Sequence, residues 1–229
     1  MKFGVVVFPG SNCDDDAVHA LRDQLKQEVV KLWHKDHDLQ GCDFIILPGG
    51  FSYGDYLRTG AVARFSPIMD EVIKHAERGG YLMGICNGFQ ILAEARLVPG
   101  VLLRNTSQKY VCKNIYLRPE SKSALITSEL EDRAYKIPIA HGDGRYFADA
   151  DTLKRLEDND QIIFRYCDEN GSVVESANPN GSLNNIAGVA SERKNVFGLM
   201  PHPERAADPM LGNTDGKLIL EQLLNAVLV

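Results

Sequence analysis

No apolar run in this sequence exceeds four or five residues; Phe44-Ile45-Ile46-Leu47 is typical, far too short to cross a bilayer, so no membrane partner is expected. No Lys/Arg block stands out either. With 25 basic residues against 31 acidic ones, a net charge of −6, a nucleic-acid footprint is not expected. The five cysteines, Cys13, Cys42, Cys86, Cys112 and Cys167, are odd in number and no two stand at C-x-x-C spacing. That argues against a zinc site and a disulfide framework, and fits a reducing, cytoplasmic setting. The G-x-x-x-x-G-K-[ST] phosphate loop is missing, as are a kinase signature and a metal-ligand cluster. The opening residues lack an apolar stretch followed by a small-residue cleavage site and read as a strand, not an address.

What is present is average for a globular chain: 229 residues, 44% hydrophobic and 24% charged, enough to bury a sizeable core. A prior of roughly 150 residues per domain favours one domain over 1–229. Asn105-Thr-Ser, Asn170-Gly-Ser and Asn180-Gly-Ser match the glycosylation pattern, but without a secretory signal they read as turns and loops.

Through the first hundred residues, β-branched runs alternate with helical spacing. Strands are expected at Lys2–Phe8, Val29–Trp33, Phe44–Leu47 and Tyr81–Ile85. Helices are expected at Asp14–Gln27, capped by Ser11 or Asn12, at Ile68–Arg78 and at Asn87–Arg96. Such alternation argues for an α/β fold with an open, mainly parallel sheet and helices on both faces. The middle differs: Lys109–Leu117, Lys136–Ala140 and Gln161–Tyr166 look like strands, with one helix at Asp149–Leu156. This is a β-rich insertion. Strands at Ile186–Ala190 and Val196–Met200 and an amphipathic helix at Leu218–Val227 close the chain.

The informative stretch is Tyr81-Leu-Met-Gly-Ile-Cys-Asn-Gly-Phe-Gln90, which runs strand, Gly-x-Cys-x-Gly, helix. This is a nucleophile elbow with sulfur in place of oxygen. A sharp strand-to-helix turn strains the nucleophile's backbone, and side chains two positions to either side would crowd it; Gly84 and Gly88 remove them. The helix beginning near Asn87 aims free N–H groups and its positive end at the sulfur, favouring the thiolate. The N–H of Asn87 is then placed to hold an oxyanion. An arbitrary cysteine at the end of a core strand is more often inert and buried, and it is the flanking glycines that shift the balance here.

A catalytic cysteine needs a base, and the base an orienting group. His19, His34, His37 and His75 sit in helical or charged surroundings and are expected to be solvated. His202 lies in Met200-Pro-His-Pro-Glu204, where flanking prolines favour extended backbone. Residues i and i+2 then share a side, so His202 and Glu204 can pair and fix the imidazole tautomer. Pro48-Gly49-Gly50-Phe51, after the third strand, offers unobstructed N–H groups at the same sheet edge. Alone, a surface turn with a chance His and Glu, or a structural glycine turn, explains either segment as well; together with Cys86 they point to acyl transfer on cysteine without ATP or metal in this chain.

These three segments resemble the landmarks of the class I (triad-type) glutamine amidotransferases, in the same order, with His202 lying 116 positions after Cys86. Phe8-Pro-Gly-Ser-Asn-Cys-Asp14, Gly49-Gly-Phe-Ser-Tyr-Gly-Asp-Tyr-Leu-Arg58, Ala140-His-Gly-Asp-Gly-Arg-Tyr146 and Asn178-Pro-Asn-Gly-Ser182 narrow the likeness to the glutaminase subunits of phosphoribosylformylglycinamidine synthase. Phe51 after the Gly-Gly, and Asn87-Gly-Phe after the cysteine, depart from the wider class but fit this subfamily. The resemblance implies a flavodoxin-like fold, with Cys86, His202 and Glu204 as the triad and Gly50 and Asn87 as oxyanion donors. It places Gln90, His141 and Gly142 near the glutamine; by spacing alone, Gln90 serves equally as a capping or packing residue, and Asp143-Gly144 reads as a hairpin turn between Lys136–Ala140 and Tyr146-Phe147. It also implies L-glutamine as substrate and a large synthase subunit carrying ATP and Mg, with a small third subunit and an ammonia channel.

Two other readings share parts of the pattern. DJ-1/peptidase-I-like cysteine hydrolases have a similar elbow but often place His directly after the cysteine, where this chain has Asn87. A non-catalytic assembly subunit of the same fold would have no need of Cys86, His202 and Glu204. The papain-type C-G-S-C-W signature is missing.

Overall fold

The computed structural model describes residues 1–227. In chain order, β1 (Lys2–Val7) leads to α1 (Asp14–His19), which continues as a π-turn over Ala20–Gln24, then β2 (Glu28–Trp33) and β3 (Phe44–Leu47). Next come α2 (Pro67–Glu77), β4 (Tyr81–Ile85), α3 (Asn87–Glu94) and β5 (Val101–Leu103). β6 (Val111–Pro119), β7 (Tyr135–His141), β8 (Arg145–Phe147) and α4 (Ala150–Asp158) form the middle. β9 (Ile162–Cys167), β10 (Ile186–Ala190), β11 (Val196–Leu199) and α5 (Asp215–Glu221) end the fold, α5 tightening into a 3₁₀ turn over Gln222–Val227. No helix among the described residues is long and apolar enough to cross a membrane.

Nine strands share one sheet in the order β2-β1-β3-β4-β11-β10-β9-β6-β7. From β2 to β11 the pairings are parallel; from β11 to β7 they are antiparallel. Every residue of β3, β10 and β11 is buried, as expected of strands covered on both faces. The α/β architecture expected from the alternation is therefore present. Of its β-rich middle, β6, β7 and β9 extend the same sheet, while β8 pairs with β5 apart from it.

The register decides where the site lies. Leu47 of β3 pairs with Gly84 of β4, and Ile85 pairs with Leu199 of β11. Three adjacent strands thus release Pro48-Gly49-Gly50, Cys86 and Met200-Pro201-His202 from one edge, the carboxyl end where open α/β sheets hold their ligands.

Several local expectations need correction. The cap of α1 is Cys13, with no side-chain bond, because the Ser11 hydroxyl turns back to the N–H and carbonyl of Phe8. Asp143-Gly144 does not close a hairpin: β7 pairs with β6, and β8 pairs with β5 in a separate two-stranded sheet. The three-residue β5 was invisible to periodicity because so short a segment shows no alternation. His34 is buried, its Nδ1 bonded to the Tyr53 hydroxyl at 2.7 Å, and His75 is half-buried against the Tyr81 carbonyl; His19 and His37 are exposed as expected. Asn105 and Asn180 are buried, so neither can receive a glycan, whereas Asn170 is exposed.

Candidate active site

Cys86 sits between β4 and α3 at φ +50, ψ −103, a backbone conformation that L-residues adopt only under constraint. Its N–H donates to the Leu199 carbonyl at 2.7 Å, tying the elbow to β11. A Cβ at Gly84 would lie 2.5 Å from the Gly88 carbonyl group, and one at Gly88 would overlap the Leu47 carbonyl oxygen. The two glycines are therefore steric requirements of the turn. Gly88→Ala is expected to cost roughly 3–5 kcal/mol, because backbone of β3 must move to admit the methyl group. An unchanged denaturant midpoint would disprove this.

Behind the sulfur, His202 Nδ1 and Glu204 Oε1 are 2.6 Å apart, and both side chains are 1% exposed. The His202 N–H donates to the Pro138 carbonyl at 2.9 Å, which holds the segment against β7. Gly49 makes room for the ring, since a Cβ there would fall 2.7 Å from His202 Cε1. With Nδ1 committed to the carboxylate, Nε2 faces Cys86. Burial disfavours the charged imidazole, but the negative charges of Glu204 and Cys86 outweigh it and hold the pKa of His202 above the ordinary histidine value. The Cys86 sulfur itself leans toward the Ala140 carbonyl at 3.8 Å, and Nε2 has no hydrogen bond.

Of the two expected oxyanion donors, Asn87 follows Cys86 directly and Gly50 lines the same cavity as Cys86. Asn87 is the first residue of α3, so its N–H has no intrahelical acceptor. Gly50 adopts φ +127, and a Cβ there would meet the Asn12 backbone nitrogen at 2.5 Å, so this residue has to be glycine. The loop beyond it is pinned by Phe51 N–H to Gly10 O (3.0 Å) and Tyr53 N–H to Pro9 O (2.6 Å).

A chain of side-chain bonds braces these parts. Asn87 Oδ1 accepts from the Ser52 N–H at 3.1 Å, Asn87 Nδ2 donates to Gln90 Oε1 at 2.9 Å, and Gln90 Nε2 donates to the Asp143 carbonyl at 2.7 Å. Gln90 lines the cavity over Cys86, but both of its polar ends are spent on the protein. His141 and Gly142 line it too. His141 is buried, with Nδ1 near Asn105 Oδ1 at 3.2 Å; burial, and secondarily the charge of His202, depress its pKa to about 4, so it is neutral.

That cavity, about 200 Å³, also brings Asp55, Arg104, Tyr110 and Asp143 to the sulfur, none of which the sequence reading selected. Their spacing carries no signal; only the fold joins them. Asn105 was read as part of a turn, yet its side chain bonds the carbonyls of Lys109 and His141 and the N–H of Gly144, holding the 141–144 segment over the site. Cys13 lies behind the triad, its sulfur accepting from Arg205 Nη2 at 3.0 Å; burial pushes its thiol up to about 12. Cys13, His202 and Glu204 place ligand-type atoms within 4.8 Å of one another, and the Arg205 guanidinium, a positive charge, already donates to the Cys13 sulfur.

A thiol on a strained elbow and a buried imidazole–carboxylate pair meet at one sheet edge, the groups that nucleophilic catalysis on cysteine requires. Residues 1–217 match the CobB/CobQ-like glutamine amidotransferase domain, and the chain belongs to that family. Within it, the chain is a member of the group of phosphoribosylformylglycinamidine synthase subunits called PurQ. It is 56% identical to that subunit from Salinibacter ruber, over 99% of this chain and 97% of the relative, and 53% identical to that from Koribacter versatilis, over 99% of each. The solved PurLQS structure from Thermotoga maritima contains a chain with a TM-score of 0.86 and 45% identity, matched over 99% of this chain and 98% of that one. A Thermotoga maritima glutamine amidotransferase of 14% identity shares the fold, with a TM-score of 0.61 over 98% of this chain and 96% of that one.

Proposed function

We propose that this chain, as a single glutamine amidotransferase domain, hydrolyses L-glutamine to glutamate and ammonia. The observation that carries the reading is the convergence of the elbow cysteine and the buried His202–Glu204 pair on one sheet edge. The Cys86 thiolate attacks the side-chain amide carbon, forming the S–C bond while the carbonyl electrons move to an oxyanion held by the N–H groups of Gly50 and Asn87. As this collapses, the C–N bond breaks and the His202 imidazolium gives its Nε2 proton to the leaving nitrogen, releasing ammonia and a γ-glutamyl thioester. Water, deprotonated by His202, then attacks the thioester carbon; the S–C bond breaks and glutamate leaves. Glu204 holds the tautomer throughout.

Ammonia made here serves a reaction elsewhere. The PurQ relatives and the PurLQS structure support a partner synthase subunit in purine biosynthesis; that this subunit carries ATP and Mg and converts formylglycinamide ribonucleotide to the amidine is part of the proposal. A small third subunit, an internal ammonia channel and a cytoplasmic location belong to the same proposal. This chain needs no cofactor of its own.

The first test is mass spectrometry after incubation with a glutamine-analogue chloroketone. One adduct on Cys86, blocked by glutamine, is expected, while exposed Cys112, which iodoacetamide reaches, stays free of the analogue. Labelling spread over both cysteines and indifferent to glutamine would refute the reading. Glutaminase turnover of the isolated chain is also expected to be weak and to rise sharply when the synthase subunit is added; equal turnover with and without it would count against the partnership.

A further inference from the structure

The segment after the oxyanion loop is backbone of an unusual kind. Tyr53, Gly54 and Asp55 follow one another at φ +54, +64 and +55, so two non-glycine residues share a left-handed run. The run is held from outside: the Tyr53 hydroxyl bonds His34 Nδ1 at 2.7 Å and Ser66 Oγ at 2.8 Å. Strain of this kind persists where the surroundings impose it, and it is concentrated at ligand sites.

The run brings Asp55 into the lining of the cavity over Cys86 and of the adjoining one. Asp55 is half-buried, its Oδ1 is buried without a hydrogen-bond partner, and no ion pair to Asp55 exists among the described residues. Burial, reinforced by the charge of Asp143, raises its pKa to about 6. A carboxylate withdrawn from water and left without a cation is costly unless something bound there supplies the charge. Arg104 lines the same cavity, 56% exposed and only loosely paired to Asp143 at 3.8 Å. The cavity thus offers both signs of charge beside a nucleophile, the complement of a zwitterionic amino acid.

We infer that Asp55 receives the α-ammonium group of the substrate and so makes the site select an α-amino acid over a plain carboxamide. This deepens the glutaminase reading and rests on it. Gln90 and neutral His141 also line the cavity but bear no negative charge to offset an ammonium group.

The test compares two amides in the complex with the synthase subunit: L-glutamine, and glutaramate, which has the same amide and carboxylate but no amino group. Wild type is expected to favour glutamine strongly. Asp55→Asn is expected to raise KM for glutamine roughly 10- to 100-fold, the effect of losing one charge-assisted bond, with kcat little changed. Its kinetics on glutaramate should be unaltered, so the preference collapses, while Asp55→Glu restores part of it. Should Asp55→Asn fail to fold, Asp55→Ser is read in the same way. An equal loss on both amides, or an unchanged KM for glutamine, overturns the assignment while leaving the glutaminase reading intact. A wild-type complex that hydrolyses neither amide overturns the glutaminase reading itself, and this inference with it.

Discussion

Cys86→Ala abolishes glutamine hydrolysis, with an expected fall in kcat of at least about 10⁴-fold, while the same complex still forms the amidine from added ammonium salt. The size of the effect follows from the lack of any substitute nucleophile. Cys13 is beside the triad, but burial pushes its thiol up to about 12 against the opposing charge of Arg205, so it stays protonated and weakly nucleophilic. Burial likewise pushes Cys42 and Cys167 up to about 11. Cys112 is exposed on β6 and is not among the residues lining the cavity over Cys86. Alanine should leave the fold intact, since the strained φ of +50 is already borne by a residue with a Cβ. Continued hydrolysis by a folded Cys86→Ala protein would remove the thioester from the mechanism. Loss of the ammonium-dependent reaction as well would show that the variant had damaged the partner's site and not only its own.

How much of this was legible in the sequence depended on the range over which each feature is encoded. The elbow is local: Gly84, Cys86 and Gly88 sit within five positions, and a steric rule links them directly. The His202–Glu204 pair is local as well, because extended backbone alone places i and i+2 on one side. That the two segments meet was inferred from resemblance and from the strand–helix alternation, and the register of β3, β4 and β11 supplies the physical reason. Asp55 lay beyond such reasoning. Its role depends on a left-handed run pinned by His34, itself read as solvated, and on a carboxyl whose isolation appears only when β7 and the 141–144 segment close over it. Asn105 was hidden for a related reason: an asparagine in a turn-like stretch looks the same whether it faces water or holds three backbone groups. Gln90 illustrates two readings that spacing could not separate, and it lines the cavity over Cys86 while also bonding the protein. One turn along the elbow helix it had to lie near Cys86, and its bonds to Asn87 and Asp143 show that it also braces the loop around the cavity.

Glu204→Gln should lower kcat by roughly 10³- to 10⁴-fold, by analogy with removing the carboxylate of a serine triad, and should also move the pH profile. In wild type, burial works against the imidazolium, and the charges of Glu204 and Cys86 overcome it, so His202 holds its proton well above the ordinary histidine range. That proton is the one given to the departing ammonia. As pH rises through the raised pKa the imidazolium is lost, and with it the acid, which sets the alkaline limb of kcat/KM. The amide of glutamine is nearly the shape of glutamate but carries no charge, so in the variant the largest favourable influence disappears while burial remains. The His202 pKa must then fall, and the alkaline limb should shift by more than one pH unit toward neutrality. The sulfur and the imidazole exchange protons within one pair, so the limb reports the pair as a whole. A purely structural role for Glu204 would lower the rate without displacing the limb. Retention of the wild-type limb in a folded Glu204→Gln protein would therefore mean that Glu204 does not hold the His202 pKa up, and would reduce it to an anchor for the ring.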